Sequence, residues 1–309
     1  MNSTDSRTRL IVALDGSKLA ETVIPLVQSL AACLAAEVTL FHSLEAAPPQ
    51  TVHGESHLNT FLAAESYLAG VARRLHDAGF NAATHVHAEP TREVAAGIAG
   101  HAAELKADMI VLAAHGSGGF KDWLIGRIPQ QVLALIDRPV LIVPIPTDRS
   151  LAGESAIELI LLPVDPAGDA AAAIPVVQRI AGGCQAETLL LSVIPTAATM
   201  PGEAGVASIF LPRTATRLLD WAEDEMRARL VQLGESFGKV GLATSTEVRR
   251  GDPAAEILAV LRRKDGRCPD LVVLATHARA GLDGMLAGSV TPRVVGGSPC
   301  PLLLVPLAS

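Results

Sequence analysis

One pattern occurs twice in this sequence. Residues 107–128 read ADMIVLAAHGSGGFKDWLIGRI, and residues 269–290 read PDLVVLATHARAGLDGMLAGSV. In each copy an Asp precedes a run of branched apolar residues, a His ends the run, and a loop leads through a Gly into an amphipathic segment. His115 and His277, which end the two runs, are 162 positions apart, and no gap interrupts the loop that follows. A repeat of this extent constrains the chain to two similar halves.

The start of each half gives a second pair of landmarks. Asp15 ends one apolar run, and Asp165 ends another 150 positions later. Because the offset grows from 150 to 162, the second copy is longer, and its extra residues fall around 195–213. We predict two domains of one kind, residues 1–148 and 149–309, each large enough to bury its own core.

Apolar runs alternate with segments that carry apolar residues at helical spacing. This alternation predicts an α/β fold with a parallel sheet and helices on both faces. In the first half, strands are predicted at 9–14, 37–44, 81–88, 108–114 and 139–144, and helices at 18–35, 55–79, 90–106 and 128–137. The second half is expected to repeat this order, with its long helix at 214–234.

Composition limits the classes of partner. Hydrophobic residues make up 49% of the 309 residues and aromatic residues only 3%, which favours a packed core of Ala, Val, Leu and Ile over disorder. The net charge of -7 with no cluster of Lys and Arg argues against nucleic acid as the main partner. No run is long enough to span a membrane, and the first residues are polar, so we expect a cytoplasmic protein.

The repeated loop has two interpretations. Gly before a helix start allows backbone N–H groups to approach a phosphate, and the helix end adds partial positive charge. A plain strand-to-helix turn also favours Gly, so the loop alone leaves both open. Asp15 likewise could accept hydrogen bonds from ribose hydroxyls or act as a helix N-cap.

The sheet topology decides which of these residues meet. Ligands of doubly wound sheets bind beyond the carboxyl ends of the strands, where the strand order reverses. If the chain winds outward through strands one to three and then crosses back, the reversal lies between strands one and four. Asp15 would then lie beside His115 and Gly116, and Asp165 beside His277.

The histidines allow a second chemistry. His85 and His87 alternate along a strand and share a face, and His53 and His57 would share a helical face. No carboxylate or Cys pattern adjoins them, so we predict no metal site. We identify no nucleophile and base pair either, and expect no catalytic residues and at most slow hydrolysis of ATP.

Together these features resemble the universal stress protein family in its tandem form. The resemblance rests on the Asp after the first strand, the Asp-hydrophobic-His-Gly-x-Gly-Gly loop and the terminal P-V-L-x-V-P strand, and it covers nearly the whole chain. It implies two tandem doubly wound domains, each a five-stranded parallel sheet of order 3-2-1-4-5. Many family members bind ATP through G-x2-G-x9-G-[ST].

Carried over residue by residue, this motif falls on a set of positions in each half, and neither copy is complete. In the first half Ala replaces the leading Gly and Arg replaces the hydroxyl residue; in the second half both earlier glycines are lost, and Ala278 stands where the second belongs. The resemblance also implies that backbone near Ser43 and Val193 borders the adenine. The motif positions are Ala113, Gly116, Gly126 and Arg127 in the first half, and Ala275, Gly288 and Ser289 in the second.

Two functions from different classes remain. The first is a stress protein that binds ATP or another adenine nucleotide, with or without Mg²⁺, in at least one half and acts as a sensor or regulator. The alternative is a nucleotide-free interaction scaffold with degenerate loops. The resemblance further implies that the fifth strands, 140–143 and 302–305, pair edge to edge as an intramolecular pseudo-dimer or in a homodimer.

Overall fold

The first half alternates strands and helices from its start. The structure is a computed structural model that describes residues 7–114, 127–144, 156–165, 169–196, 199, 212–264, 266–276 and 290–307, without the side chains of 127, 169 and 212–215. The first-half elements are β1 (Arg9–Ala13), α1 (Ile24–Leu34), β2 (Glu37–Glu45), β3 (Thr51–Val52), β4 (Glu55–Ser56), α2 (Phe61–Asp77), β5 (Ala82–Thr91), α3 (Val94–Glu104), β6 (Met109–Ala114), α4 (Arg127–Leu135) and β7 (Val140–Pro144).

The second half repeats this order. Its elements are β8 (Leu159–Pro163), α5 (Ile174–Cys184), β9 (Glu187–Ile194), α6 (Pro212–Gly238), β10 (Thr244–Arg250), α7 (Pro253–Leu261), β11 (Leu271–Thr276), α8 (Thr291–Gly297) and β12 (Leu302–Pro306). The predicted α/β fold of two similar halves is therefore confirmed. The predicted boundary at 148 and 149 lies outside the described residues.

Ten strands form one sheet across both halves. The order is β10-β9-β8-β11-β12-β7-β6-β1-β2-β5. Counted from the outer edge of the sheet toward its middle, each half therefore contributes its third, second, first, fourth and fifth strands, and the β3–β4 hairpin stands apart from this sheet. All neighbours within a half pair in parallel. The two fifth strands, β7 and β12, pair antiparallel with Leu303 opposite Leu141. The edges that these strands would otherwise leave open are closed within the chain.

Helices cover both faces of the sheet, because successive strand residues point to opposite sides. On one face, Leu10 and Val12 of β1 pack in a core that includes residues of α1, α2, α5 and α6. On the other face, Ile11 packs in a core that includes residues of α3, α4, α7 and α8. The central strands are buried on both sides, as their unbroken apolar runs predict, whereas the edge strands β5 and β10 are half-buried or exposed.

The Asp that opens each repeated run has a structural role. Asp108 accepts the N–H of Arg9 at 2.8 Å, and Asp270 accepts the N–H groups of Glu158 and Leu159 at 3.0 and 2.9 Å. In both halves the carboxylate just before the fourth strand satisfies backbone donors at the beginning of the first strand. The repeat of this Asp therefore reflects the way the two central strands are joined.

Three helices begin later than the sequence pattern predicts. The predicted helix at 18–35 starts as a 3₁₀ turn at 20–23 and becomes α-helical at Ile24. The predicted helix at 55–79 begins at Phe61, because the Thr60 hydroxyl accepts the N–H of Ala63 and the residues before it form the β3–β4 hairpin. The predicted helix at 90–106 begins at Val94, and Pro90 lies in β5.

Candidate functional site

The strand order of the first half reverses between β1 and β6. From this pair the chain continues outward to β2 and β5 on one side and to β7 on the other, which leaves a crevice at the carboxyl ends of the two central strands. A cavity of about 290 Å³ lies there, lined by Asp15, Ser43 and Ala113 among others. The structure therefore brings together three of the residues that the sequence analysis assigned to the first-half site.

The cavity has apolar walls and a small number of polar groups, as is typical of small-molecule sites. Six polar residues line it: Asp15, His42, Ser43, Glu45, His53 and His57. The apolar lining residues come from several elements on both sides of the crevice: Ala13, Leu14, Ala20, Phe41, Val52, Val94, Ile98, Leu112, Ala113, Ile128 and Pro129.

Asp15 is held in place by the turn that follows β1. Its Oδ1 accepts the backbone N–H of Ser17 at 2.9 Å and the hydroxyl of Ser17 at 2.7 Å. Gly16 has a φ of +94°, a conformation that favours glycine. The N-cap residue of α1 is Val23, so Asp15 does not cap that helix. The carboxylate is about one-third exposed and lines the cavity.

A short hairpin contributes to the same cavity. Strands β3 and β4 are joined through His53 and Gly54, whose φ angles of 50° and 83° are the two positive values of a type I′ turn. The hairpin is joined to the turn after β1, since Glu55 accepts the N–H of Lys18 at 2.6 Å. His53 Nε2 lies 3.9 Å from an Asp15 oxygen, so the hairpin brings a second titratable group to the cavity.

His42 is the most buried polar residue of the cavity, with 3% of its surface exposed. Its Nδ1 lies 2.7 Å from the carbonyl oxygen of Leu14, which can only accept, so Nδ1 carries the proton. Burial lowers the pKa of His42, and the hydrogen bond to the Leu14 carbonyl opposes this only in part. The ring is therefore favoured in its neutral form.

His57 lies close to His42 and makes a different pairing. Its Nε2 is 3.2 Å from a carboxylate oxygen of Glu45, and the residue is 8% exposed. His42 and His57 are functional candidates that were not among the predicted site residues. His42 lies in an otherwise apolar strand, and the pattern of residues 55–79 predicts that His57 lies on a helix. A comparison of the halves at the end of the second strand was the available signal, since the first half has His42-Ser43 where the second has Ser192-Val193.

The second half places its predicted residues in the same framework. Asp165 follows β8, Val193 is buried near the end of β9, and Ala275 lies near the end of β11. Ser192 occupies the position of His42, and its hydroxyl donates to the carbonyl of Val164 at 2.8 Å. The two halves thus share the contact between the first and second strands but make it with different side chains.

The remaining predicted site residues fall on the loops after the fourth strands. Arg127 opens α4, but its side chain is not described. The other predicted loop residues lie outside the described residues. These are His115, Gly116 and Gly126 in the first half, and His277, Gly288 and Ser289 in the second.

A group of histidines lies behind the cavity wall. His85 and His87 of β5 do share a face, and His101 of α3 joins them, with its Nε2 2.9 Å from Nδ1 of His87. The ring of His85 stacks on Phe41, which lines the cavity. Burial and the neighbouring His101 lower the pKa of His85. Within the described part of the chain, no group of three or more His, Cys, Asp or Glu residues could hold a metal ion.

Comparisons with known proteins identify the family. The model of the universal stress protein family matches residues 6–144 and again 157–306. A universal stress protein of Methanocaldococcus jannaschii is 28% identical over 155 residues, covering 50% of this chain and 84% of that protein. A second, from Synechocystis, is 29% identical over 159 residues, covering 51% of this chain and 91% of that protein.

A solved structure matches the whole chain. The crystal structure of a universal stress protein from Archaeoglobus fulgidus has a TM-score of 0.68 at 16% identity, covering 98% of this chain and 97% of that one, which shows a shared fold. Among the described helices, none combines the length and the apolar character needed to cross a membrane. The two family matches, one in each half, show that the chain belongs to the universal stress protein family in its tandem two-domain form.

Proposed function

We propose that this protein binds an adenine nucleotide in at least one of its halves and acts as a sensor or regulator in a stress response. The observation that carries the proposal is the first-half cavity, which lies where the strand order reverses and is lined by the oriented carboxylate of Asp15. Membership of the universal stress protein family supports a role under stress. The proposed setting is the cytoplasm.

The cavity offers a group for each part of a nucleoside. The Asp15 carboxylate accepts the ribose hydroxyls, because an ionised carboxylate is an acceptor only. Apolar side chains such as Phe41, Ile98 and Leu112 contact the faces of the base, and backbone near Ser43 borders its edge. The phosphates would extend toward the loop after β6, where His115, Gly116, Gly126 and Arg127 are the proposed contacts, with Mg²⁺ as a companion ion.

The second half is proposed as a weaker site of the same kind. Asp165 is the second-half equivalent of Asp15, Val193 is the equivalent of Ser43, and Ala275 is the equivalent of Ala113. The phosphate contacts proposed there are His277, Gly288 and Ser289. Since Ala278 replaces a glycine of the family motif, close backbone approach of a phosphate is less favoured than in the first half.

Two measurements on the purified full-length chain test the proposal. Mass spectrometry of small molecules released by denaturation is expected to show an adenine nucleotide. Calorimetric titration with ATP and with AMP is expected to show saturable binding, and ATP turnover is expected to stay slow. Absence of saturable binding up to millimolar nucleotide rejects the proposal.

A nucleotide-free scaffold is the second candidate, and one observation favours it. On the long helix α6, Leu218 and Trp221 are 60% and 65% exposed and lie three residues apart on one helical face, and adjacent exposed apolar residues are typical of an interaction surface. In this alternative, binding of a protein partner or a second copy of the chain covers that face. It predicts the same partner affinity with and without nucleotide, whereas a sensor requires the two affinities to differ.

A further inference from the structure

Three buried polar atoms of the first-half cavity residues have no hydrogen-bond partner within the described structure. They are Nε2 of His42, Oγ of Ser43 and Nδ1 of His57. The three residues are 3%, 6% and 8% exposed, and all three line the cavity. An unsatisfied buried polar group destabilises the fold, so three of them in one cavity indicate a ligand that supplies the missing partners.

The pairing of each ring fixes what that ligand must offer. His42 donates through Nδ1 to the Leu14 carbonyl, which leaves a lone pair on Nε2 in the neutral ring. His57 pairs through Nε2 with the Glu45 carboxylate, which leaves a lone pair on Nδ1 in the neutral ring. Two imidazole acceptors therefore need hydrogen-bond donors.

The second half has different side chains at the two positions that match His42 and Ser43. Ser192 replaces His42, and its hydroxyl already donates to the Val164 carbonyl. Val193 replaces Ser43 and carries no polar side-chain atom. The acceptors are therefore a feature of the first half and not of the duplicated framework.

We infer that the first-half cavity recognises the amino group of adenine, with the N–H groups of the ligand donating to Nε2 of His42 and Nδ1 of His57. This inference rests on the proposed nucleotide binding and adds that the base is selected in the first half by two imidazoles. Hypoxanthine carries a carbonyl oxygen in place of the amino group, so its lone pairs would face those of the histidines.

The ribose hydroxyls are also donors, and the geometry assigns them elsewhere. Asp15 is the ionisable acceptor at the end of β1, and its carboxylate is partly exposed toward the crevice. His42 and Ser43 lie near the end of β2, on the far side of β1 from β6. The base is therefore expected at β2 and the ribose at Asp15.

Titration of the full-length chain with AMP, IMP and 2′-deoxy-AMP tests the inference. We expect the wild-type chain to bind AMP at least about tenfold more tightly than IMP, which corresponds to about 1.4 kcal/mol or more for the two mispaired buried acceptors together. Two variants keep the structural hydrogen bonds and remove the acceptors. His42→Ser keeps a donor to Leu14, as Ser192 does to Val164, and His57→Lys keeps a donor to Glu45 and carries no acceptor.

Each variant is expected to lower the AMP-to-IMP affinity ratio about threefold or more, and the double variant to bring it near one. His76→Ser is the control, because His76 is exposed on the last turn of α2, and it should leave the ratio unchanged. The ratio is insensitive to partial unfolding, since an inactive fraction of protein reduces the binding of both nucleotides alike.

The outcomes separate the two proposals. If the wild-type chain binds neither nucleotide, the proposed function fails. If AMP binds but AMP and IMP bind equally, or both variants keep the wild-type ratio, the amino-group inference is wrong and nucleotide binding stands. If the variants instead change only the ratio of AMP to 2′-deoxy-AMP, the histidines contact the ribose and the inference is overturned.

Discussion

Gly183 marks the closest approach of the two halves on one face of the sheet. It lies near the end of α5, which contacts α1 of the first half. A Cβ placed on Gly183 would overlap the carbonyl oxygen of Cys33. Burial, together with a hydrogen bond to Cys33, raises the pKa of the Cys184 thiol, so both thiols lie at this crossing. A side chain at position 183 would force the two backbones apart.

We predict that Gly183→Ala destabilises the protein by about 1–3 kcal/mol, because the neighbouring backbone cannot yield without moving a helix. The matched control is Gly182→Ala, whose Cβ would meet only Leu242 Cδ2 at 3.7 Å. The control gains up to about 1 kcal/mol of helix propensity. Urea unfolding monitored by circular dichroism gives both values, and equal stabilities of the two variants would show that α1 and α5 do not approach so closely.

The residues of the first-half cavity were only partly predictable. Asp15, Ser43 and Ala113 follow from the strand ends, because topology alone brings those ends together. His42 was not predicted, since a histidine in an apolar strand gives no local signal of an unpaired ring nitrogen. The sequence pattern of residues 55–79 predicts that His57 lies on a helix, because it gives no signal of the β3–β4 hairpin or of the helix start at Phe61.

At the scale of the elements, the beginnings of α3 and α7 show how similar sequence leads to different local structure. Pro90 and Pro253 stand in matching stretches of the repeat, and only Pro253 begins a helix. Asp252 caps α7 by accepting the N–H of Ala255 at 2.9 Å, and it pairs with Arg293 of α8. At the start of α3, the Glu93 side chain makes no capping hydrogen bond. Periodicity predicts both helices, but caps set where they begin.

Two substitutions of Asp252 separate the cap from the ion pair. Asp252→Asn keeps a capping oxygen and removes the charge, so we expect a loss of about 0.2–1 kcal/mol at pH 7. Asp252→Ala removes both the capping oxygen and the charge, and we expect it to lower the free energy of unfolding by about 0.5–2 kcal/mol more than Asp252→Asn does. Chemical unfolding of the three proteins measures these differences.

The ion-pair contribution of Asp252 has a defined pH dependence. Hydrogen bonding to Arg293 holds the pKa of Asp252 below its usual value of about 3.9. A carboxyl with a depressed folded pKa stabilises the fold above its unfolded pKa, and this stability is lost as the pH falls through the folded pKa. The difference between the wild type and Asp252→Asn should therefore be constant near neutral pH and shrink below about pH 4. A difference that grew on acidification would contradict this assignment.

At the scale of the whole molecule, the duplication predicts the fold and a continuous sheet joins the copies. The antiparallel pairing of β7 with β12 and the contact of α1 with α5 link the halves on the sheet and on one helical layer. Pairing of the fifth strands was expected from the family resemblance, and the structure places it within one chain. Further dimerisation stays a prediction.

The central claim is that an adenine nucleotide binds in the first-half cavity with its ribose on Asp15. Calorimetric titration of AMP into the full-length chain, its Asp15→Asn variant and its Asp165→Asn variant tests this most directly. Asn keeps an oxygen for the Ser17 contacts and replaces the other carboxylate oxygen by an uncharged NH2 group that cannot accept. We predict that Asp15→Asn weakens the tighter binding site about tenfold or more, while Asp165→Asn leaves that site unchanged. Loss of the tighter site in Asp165→Asn alone, or no saturable binding by the wild-type chain at millimolar AMP, would contradict the claim.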